Sequence, residues 1–420
     1  MKNIVLIEPN REKYRSAIYI DQEIWCEPLA LQYIGAQIKQ DHNIKIIHQR
    51  HRSNKEILKE ITEEQPDLVG FSVYTFTAPN TQKLCDGIKK YNPKIITVMG
   101  GYHPSGYPQI VRDRNIDFVV IGEGEITFSA LVKALESGKD ISEVRGIAYW
   151  DDHLRITKPR ERIKNLDELA FPLRTKKSIK KYDNIIQIAH SRGCPHRCTF
   201  CDSYRIWNRQ VNWRSAKNTI EEIKQAKELG ANKFYFTDLT FNLNKNRVYE
   251  LLNEIKKENI DLKYSVMCSP HQIDKGILNV MKETGCFEIR YGIEATEDTM
   301  LKTIGKIQKF SETKKILDLT AQFGIQTVGY FMIGYPKDNR ESLAKFKETI
   351  IELPLNRLRL AFFTPFPTLP LFEEYKNMDL LLTEDFSEYT TDKPVVKCKI
   401  PKEELVKIRE DIYKEFDKHS

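Results

Sequence analysis

No stretch of this 420-residue chain approaches the ~20 consecutive apolar residues that cross a bilayer, so a membrane-spanning helix is not expected. The apolar run at 3–7 is too brief for the core of a signal peptide and reads as a strand. Internal repeats and low-complexity segments are lacking, which removes repeat architectures and disordered scaffolds. Neither sign of charge dominates. Lys and Arg number 66 against 59 Asp and Glu, a net charge of +7 that is modest for this size. The one basic run, 174–181, reads as the solvated face of a linker rather than a nucleic-acid site. Of the eight cysteines, Cys26, Cys85, Cys268, Cys286 and Cys398 are scattered without a pairing pattern, as in a reducing cytoplasm. With 40% apolar and 30% charged residues, the chain has the makeup of a soluble globular protein of two or three domains.

The other three cysteines fall within eight residues: Cys194, Cys198 and Cys201, in the run Ser191-Arg192-Gly193-Cys194-Pro195-His196-Arg197-Cys198-Thr199-Phe200-Cys201-Asp202. Thiolates this close on one loop are metal ligands. A structural zinc site closes with four ligands, and ordinary iron–sulfur clusters are held by four cysteines. A loop that supplies three leaves one metal position open for chemistry. Zinc completed by His190, His196 or Asp202 is the alternative reading of the same residues.

Around this loop the hydrophobic periodicity divides the chain. Strand-like runs at 3–7, 44–48, 68–73, 95–99 and 118–121 alternate with helical patterns at 28–40, 54–64, 79–91, 109–114 and 126–136. This alternation predicts a doubly wound parallel sheet with helices on both faces. Ligands of such sheets sit at the carboxyl ends of the strands, here the loops 8–27, 72–77 and 100–106. A small hairpin at 146–156 and an irregular basic linker at 157–183 follow. From 184 the pattern restarts with six strand–helix units, too few for a closed eight-fold barrel and suited to an open, partial one. The fold class expected is therefore α/β. A doubly wound first domain (1–140) is followed by the hairpin and linker (141–183), a partial (β/α)6 barrel (184–364) and a short C-terminal extension (365–420) ending in a charged helix.

The cysteine run resembles the cluster-binding motif of the radical S-adenosylmethionine (radical SAM) superfamily, and the likeness continues through the second half. Arg290-Tyr291-Gly292-Ile293-Glu294-Ala295 resembles the family's Gly-Ile-Glu-Ser segment, and Gly329-Tyr330-Phe331-Met332-Ile333-Gly334-Tyr335-Pro336 its fifth-strand motif. Thr364-Pro365-Phe366-Pro367-Thr368 resembles the family's Thr-Pro-Tyr-Pro-Gly-Thr turn without its glycine. The resemblance implies a [4Fe-4S] cluster on Cys194, Cys198 and Cys201, with S-adenosylmethionine near Phe200, Asp238, Glu294 and Ile333. It also implies a reductant such as flavodoxin or ferredoxin. A helix cap is the competing role for Asp238. Arg290 alternates with Gly292 and Glu294 along a strand, so it is a candidate for pairing with the substrate or for an ordinary core salt bridge. Cys268, ending the third barrel strand, is a candidate at the barrel mouth or a small buried hydrophobe.

The first half resembles the cobalamin-binding domain that precedes the barrel in one subgroup. The carrying residues are Asp67-Leu68-Val69-Gly70-Phe71-Ser72, Val98-Met99-Gly100-Gly101-Tyr102-His103 and Asp117-Phe118-Val119-Val120-Ile121-Gly122-Glu123-Gly124-Glu125. Ser72, Gly100, Gly101 and His103 are the candidate cofactor contacts on this side. The Asp-x-His-x-x-Gly motif that supplies an axial histidine in other cobalamin proteins is absent, and His48 and His51 read as surface histidines. The expected function is radical hydrogen abstraction from an unactivated carbon of a small molecule, followed by methyl transfer from methylcobalamin. The rival is a cobalamin-free dehydratase, rearrangement or cyclisation enzyme that keeps the first domain as a cap. A zinc-stabilised binding protein is the reading from another class. No nucleic-acid partner is expected.

Overall fold

The computed structural model describes residues 1–10 and 26–419; residues 11–25 of the expected ligand loop 8–27 lie outside the described residues. β1 (Asn3–Glu8) buries Ile4, Val5, Leu6 and Ile7 in succession, as a central strand covered on both faces must. It pairs in parallel with β2 (Asn43–His48) and β3 (Leu68–Ser72), and β4 (Ile96–Gly100) and β5 (Phe118–Val120) continue the sheet. The order β2-β1-β3-β4-β5 places the switch point between β1 and β3, where a crevice opens beyond the strand ends. The covering helices are α1 (Leu29–Ile38), α2 (Asn54–Glu64), α3 (Ala78–Tyr91), the single turn α4 (Tyr102–Gly106) and α5 (Gly124–Ser137). Ser53 and Glu56 start α2 with a reciprocal capping box.

Three local expectations are corrected here. The hairpin β6 (Ile147–Trp150) and β7 (Leu154–Ile156) does not stand apart: β6 pairs antiparallel with β5, covering an edge that would otherwise be open and giving a mixed seven-stranded sheet. The segment 109–114 is a tight 3-10 turn, Pro108–Arg112, rather than a longer helix. The basic run 174–181 is not wholly solvated. It forms α6 (Lys176–Lys181), and Arg174, only 4% exposed, donates to Glu27 at 2.8 Å and Glu222 at 2.6 Å.

The second half opens with β8 (Ile185–Ile188) and the short β9 (Ser191–Arg192), which pairs with β10 (Asn212–Trp213) across α7 (Tyr204–Trp207). Then α8 (Ala216–Glu228), β11 (Lys233–Phe236), α9 (Lys245–Lys257), β12 (Tyr264–Cys268) and α10 (Lys275–Glu283) alternate. β13 (Cys286–Glu294), α11 (Asp298–Thr303), α12 (Phe310–Gln322), β14 (Gln326–Ile333), α13 (Arg340–Ile351) and β15 (Arg357–Phe362) complete the series. The strands β8, β11, β12, β13, β14 and β15 form one parallel six-stranded sheet in chain order, the expected partial barrel. The extension holds α14 (Pro370–Asn377) and α15 (Lys402–His419), and Tyr413 of α15 accepts a hydrogen bond from the Leu360 N–H of β15. Between them Phe386 packs edge-on against His103 and Tyr107, so the extension also touches the first domain. No helix among the described residues is long and apolar enough to cross a membrane.

Candidate active site between the two sheets

The cysteine loop begins where β8 ends and is fixed from behind by Asp238, which follows β11. One Asp238 carboxylate oxygen accepts the His190 N–H at 3.1 Å; the other accepts the Ser191 N–H at 2.6 Å and the Ser191 hydroxyl. Burial pushes the Asp238 carboxyl up to about 6. Asp238 was expected beside S-adenosylmethionine or as a helix cap. Both oxygens are instead committed to the strand that carries the cysteines, which is a positioning role. At Gly193 (φ +100°) a side chain would strike the Gln210 carbonyl oxygen at 1.9 Å, so only glycine fits immediately before Cys194.

Cys194, Cys198 and Cys201 are partly exposed free thiols. The Cys194 sulfur lies 3.9 Å from the Thr240 hydroxyl, and Cys201 donates to Ser203 at 3.2 Å. Burial pushes the Cys198 thiol up to about 11, with Lys306 pulling down and the other two cysteines pushing up. Among the described residues no three His, Cys, Asp or Glu side chains are grouped around a common ion position. His190 and Asp202, which a zinc site could recruit, are turned to Thr219 at 2.9 Å and Thr368 at 3.3 Å.

Opposite the loop, β13 ends on Glu294 in the left-handed region (φ +74°), a strained conformation held by a bulge against β14. Its carboxylate pairs with Lys306 at 3.4 Å, and burial raises its pKa against that pull. Lys306 also donates to the Gly292 carbonyl at 2.9 Å. The Tyr335 hydroxyl is buried without a partner among the described residues, in the electrostatic reach of Glu294 and Cys198. The Tyr335 hydroxyl and the Lys306 ammonium as donors and the Glu294 carboxylate as acceptor are groups that suit a zwitterionic amino acid. Phe200 and Met332 pack at this end of the barrel. The Ile333 side chain does not reach it: it lies in the helix-facing core, 1% exposed, and its carbonyl accepts from the Phe363 N–H.

Two further candidates are placed otherwise, Cys268 by strand parity and Arg290 by an ion pair. Parallel register sets Cys268 beside Tyr291, whose hydroxyl meets Thr320 of α12 on the helical side. Cys268 is thus 2% exposed in the apolar core, its thiol pKa driven up by burial, and it is not at the barrel mouth. Arg290 does face the barrel interior, but there it is bound to Glu288 at 2.8 Å and lies over the Tyr235 ring at 4.5 Å, with Arg357 on the other side of Glu288. It is an interior ion pair and does not line the cavity between the two sheets.

That cavity, of about 750 Å³, lies between the carboxyl ends of the first sheet and the loop after β8. Ser72, Gly100 and Gly101 line it on one side; Arg192, Gly193 and Thr237 line it on the other. Gly101 (φ +105°) rests on the Val73 main chain, where a Cβ would stand 2.9 Å from both N and O. The Gly101 Cβ position is thus taken up by the domain's own main chain, whereas Gly122 (φ +81°), also in the lining, has nothing within 4 Å of its missing side chain and leaves open space there. His103, expected to face this cofactor, is walled off. It is 1% exposed, stacked on Tyr107, within 3.3 Å of the Thr75 hydroxyl, and burial lowers its pKa to about 4. His48 and His51, expected on the surface, line the cavity, and His48 opposes Glu8 at 3.7 Å.

Buried charges tie the two halves together. Arg192, two residues before Cys194, pairs with Glu125 at 2.7 Å and Glu123 at 3.5 Å from the start of α5, and its guanidinium lies over the Tyr33 ring. Arg162 of the linker also holds Glu123, at 3.2 Å. These roles were hidden in the sequence: Glu123 and Glu125 stand in a noted motif without assigned partners, and nothing local marks Arg192 or Lys306.

Comparison with known proteins gives the same order of two domains. Residues 188–350 match the model of the radical SAM superfamily, and residues 23–132 match that of the B12 binding domain. An uncharacterised methyltransferase of Pyrococcus horikoshii is 30% identical over 400 residues, covering 93% of this chain and 87% of that protein. The anaerobic magnesium-protoporphyrin IX monomethyl ester cyclase of Rubrivivax gelatinosus is 25% identical over 368 residues, 82% of this chain but only 64% of that enzyme. The fold also matches the radical S-adenosylmethionine methyltransferase TsrM of Kitasatospora setae, solved with cobalamin and a [4Fe-4S] cluster bound. Its TM-score is 0.75 at 19% identity, over 91% of this chain and 76% of that one.

Proposed function

This chain belongs to the radical S-adenosylmethionine superfamily, in the group with an N-terminal cobalamin-binding-type domain, and from that premise we propose that it methylates an unactivated carbon of a small molecule. Cys194, Cys198 and Cys201 hold a [4Fe-4S] cluster, and Glu294, Lys306, Tyr335 and Phe200 surround S-adenosylmethionine. Ser72, Gly100 and Gly101 support cobalamin in the cavity. When bound, these groups supply a 5′-deoxyadenosyl radical for hydrogen abstraction and a methyl group for transfer.

The chain's own residues do the rest. Asp238 and Gly193 fix the approach of the cysteine loop. The ammonium of Lys306 and the carboxylate of Glu294 offer complementary charges to the two ends of an amino acid. Arg192, Glu123 and Glu125 hold the first domain at a set distance from the loop. The reading rests on one observation above all: the cavity is walled by the first sheet's glycine-bearing strand ends on one side and by residues adjoining the cysteine loop on the other. The cobalamin-free reading draws on the burial of His103 away from the cavity.

Anaerobic reconstitution with iron, sulfide and hydroxocobalamin, followed by desalting and cobalt analysis, tests the choice. The proposal expects cobalt equimolar with protein, and a labelled methyl group passing from S-adenosylmethionine into a product made from a metabolite extract. Cobalt-free protein that still cleaves S-adenosylmethionine would leave dehydration, rearrangement or cyclisation as the function. The proposal also implies work in a reducing cytoplasm with an external one-electron donor.

A further inference from the structure

The outer face of the cysteine loop carries a surface unlike the rest of the molecule. The segment after α11 is pressed onto that loop: the Thr199 N–H donates to the Ile304 carbonyl at 3.0 Å, and a Cβ on Gly305 would stand 2.5 Å from the Arg197 carbonyl oxygen. Ile307, two residues on, is 68% exposed, more than any other large hydrophobic among the described residues. Around it Arg197, Lys302 and Lys309 are exposed, and none makes an ion pair among the described residues. Between Asp298 and Glu312 the chain holds three lysines and no acid. Of the acids at the margin, Asp298 accepts the Phe310 N–H at 2.8 Å, Glu294 is turned inward to Lys306 and Glu297 faces Lys345 at 3.8 Å, while Glu312 is exposed without an ion pair among the described residues.

An exposed aliphatic residue on a segment that carries unpaired cations, packed on a loop that carries another, has the composition of a small, transient protein contact. Its place decides the partner. It overlies Arg197 and Thr199, which flank Cys198, and so offers a direct protein route to the thiols.

We infer that the surface formed by Arg197, Lys302, Ile307 and Lys309 is the docking site for an acidic one-electron carrier protein, of the flavin or iron–sulfur kind. This rests on the radical reading above and adds to it where the electron enters. The balance is simple: the reduced carrier loses one electron, the redox centre held by the cysteines gains it, and no bond or proton moves. Opposite charge steers the encounter, so its rate falls with salt and depends on these side chains more than on the barrel.

The test uses full-length, anaerobically reconstituted protein, wild type and the double variant Lys302→Glu/Lys309→Glu, with Ile307→Gln as a second, charge-neutral variant. Two readouts are taken: binding of an oxidised acidic flavodoxin at low salt, and bleaching of the protein's visible absorption by flavodoxin hydroquinone or, separately, by dithionite. The expected result is binding and flavodoxin-driven bleaching weakened about tenfold or more in the charge-reversed variant, and dithionite-driven bleaching changed less than about twofold. Unchanged flavodoxin binding and rates in both variants, with dithionite bleaching intact, would overturn the docking site alone. Wild type that dithionite cannot bleach would overturn the radical reading, and the docking site with it.

Discussion

Asp238 holds Ser191 by two hydrogen bonds, one from the main-chain N–H at 2.6 Å and one from the hydroxyl, and thereby fixes the strand that leads into the cysteine loop. Replacing the carboxylate strands buried donors on His190 and Ser191. Asp238→Ala should therefore cost about 2–4 kcal/mol in denaturant unfolding, and Asp238→Asn, which keeps one acceptor, about half that. Both variants should lose iron on desalting more readily than wild type. Full iron retention with unchanged stability in Asp238→Ala would show the anchor to be dispensable.

The cysteines separate by position rather than by chemistry. Cys194→Ala, Cys198→Ala or Cys201→Ala should each remove bound iron and 5′-deoxyadenosine formation while the far-ultraviolet dichroism stays that of the wild type. Cys268→Ala, in the core on the helical side, should keep both and lose about 1 kcal/mol of stability. Iron analysis on the four variants checks the split.

Glu125 and Arg192 join the first domain to the loop at 2.7 Å, both largely buried. Glu125→Ala leaves the Arg192 charge with only Glu123, at 3.5 Å. The expected loss is about 3 kcal/mol, with weaker uptake of hydroxocobalamin on titration. The double variant Glu125→Ala/Arg192→Met should recover part of the stability but not the uptake.

Acid stability should reveal Glu8. Burial raises its carboxyl to about 7, so in the folded chain it binds a proton that the unfolded chain releases from about 4.5 upward. Its contribution is complete below 4.5 and is lost as pH rises to 7. His48 opposite has its pKa lowered by burial to about 3 and acts in the other sense, adding stability as pH rises from 3 to 6.5. The two slopes oppose each other across their shared range. Glu8→Gln removes the falling one, so its stability relative to wild type should climb by up to about 3 kcal/mol between pH 4.5 and 7. Parallel pH profiles of the two proteins would contradict this.

Much of the architecture was legible because its signals are local. Apolar runs mark the parallel strands, periodic helices lie between them, and the cysteine spacing marks the loop. The site was harder to read because it depends on which way a side chain turns. Cys268 and Ile333 stand at the ends of barrel strands as expected, yet parity sends both side chains to the helices. Arg290 faces inward and is taken by Glu288, a partner two residues away that alternation alone could have suggested. His103 lies next to cavity-lining Gly101 but is closed over by Phe386, from a segment 283 positions later whose packing no local pattern reveals. The same holds for Arg174, read as part of a solvated basic run and found between Glu27 and Glu222.

A cluster on three cysteines that cleaves S-adenosylmethionine is open to test on anaerobically reconstituted protein given S-adenosylmethionine and dithionite, with Cys198→Ala alongside. Iron near four per chain and release of 5′-deoxyadenosine by wild type, both lost in the variant, are the predicted result. Wild type that holds iron but releases no 5′-deoxyadenosine, or a variant that releases it as before, would contradict the account.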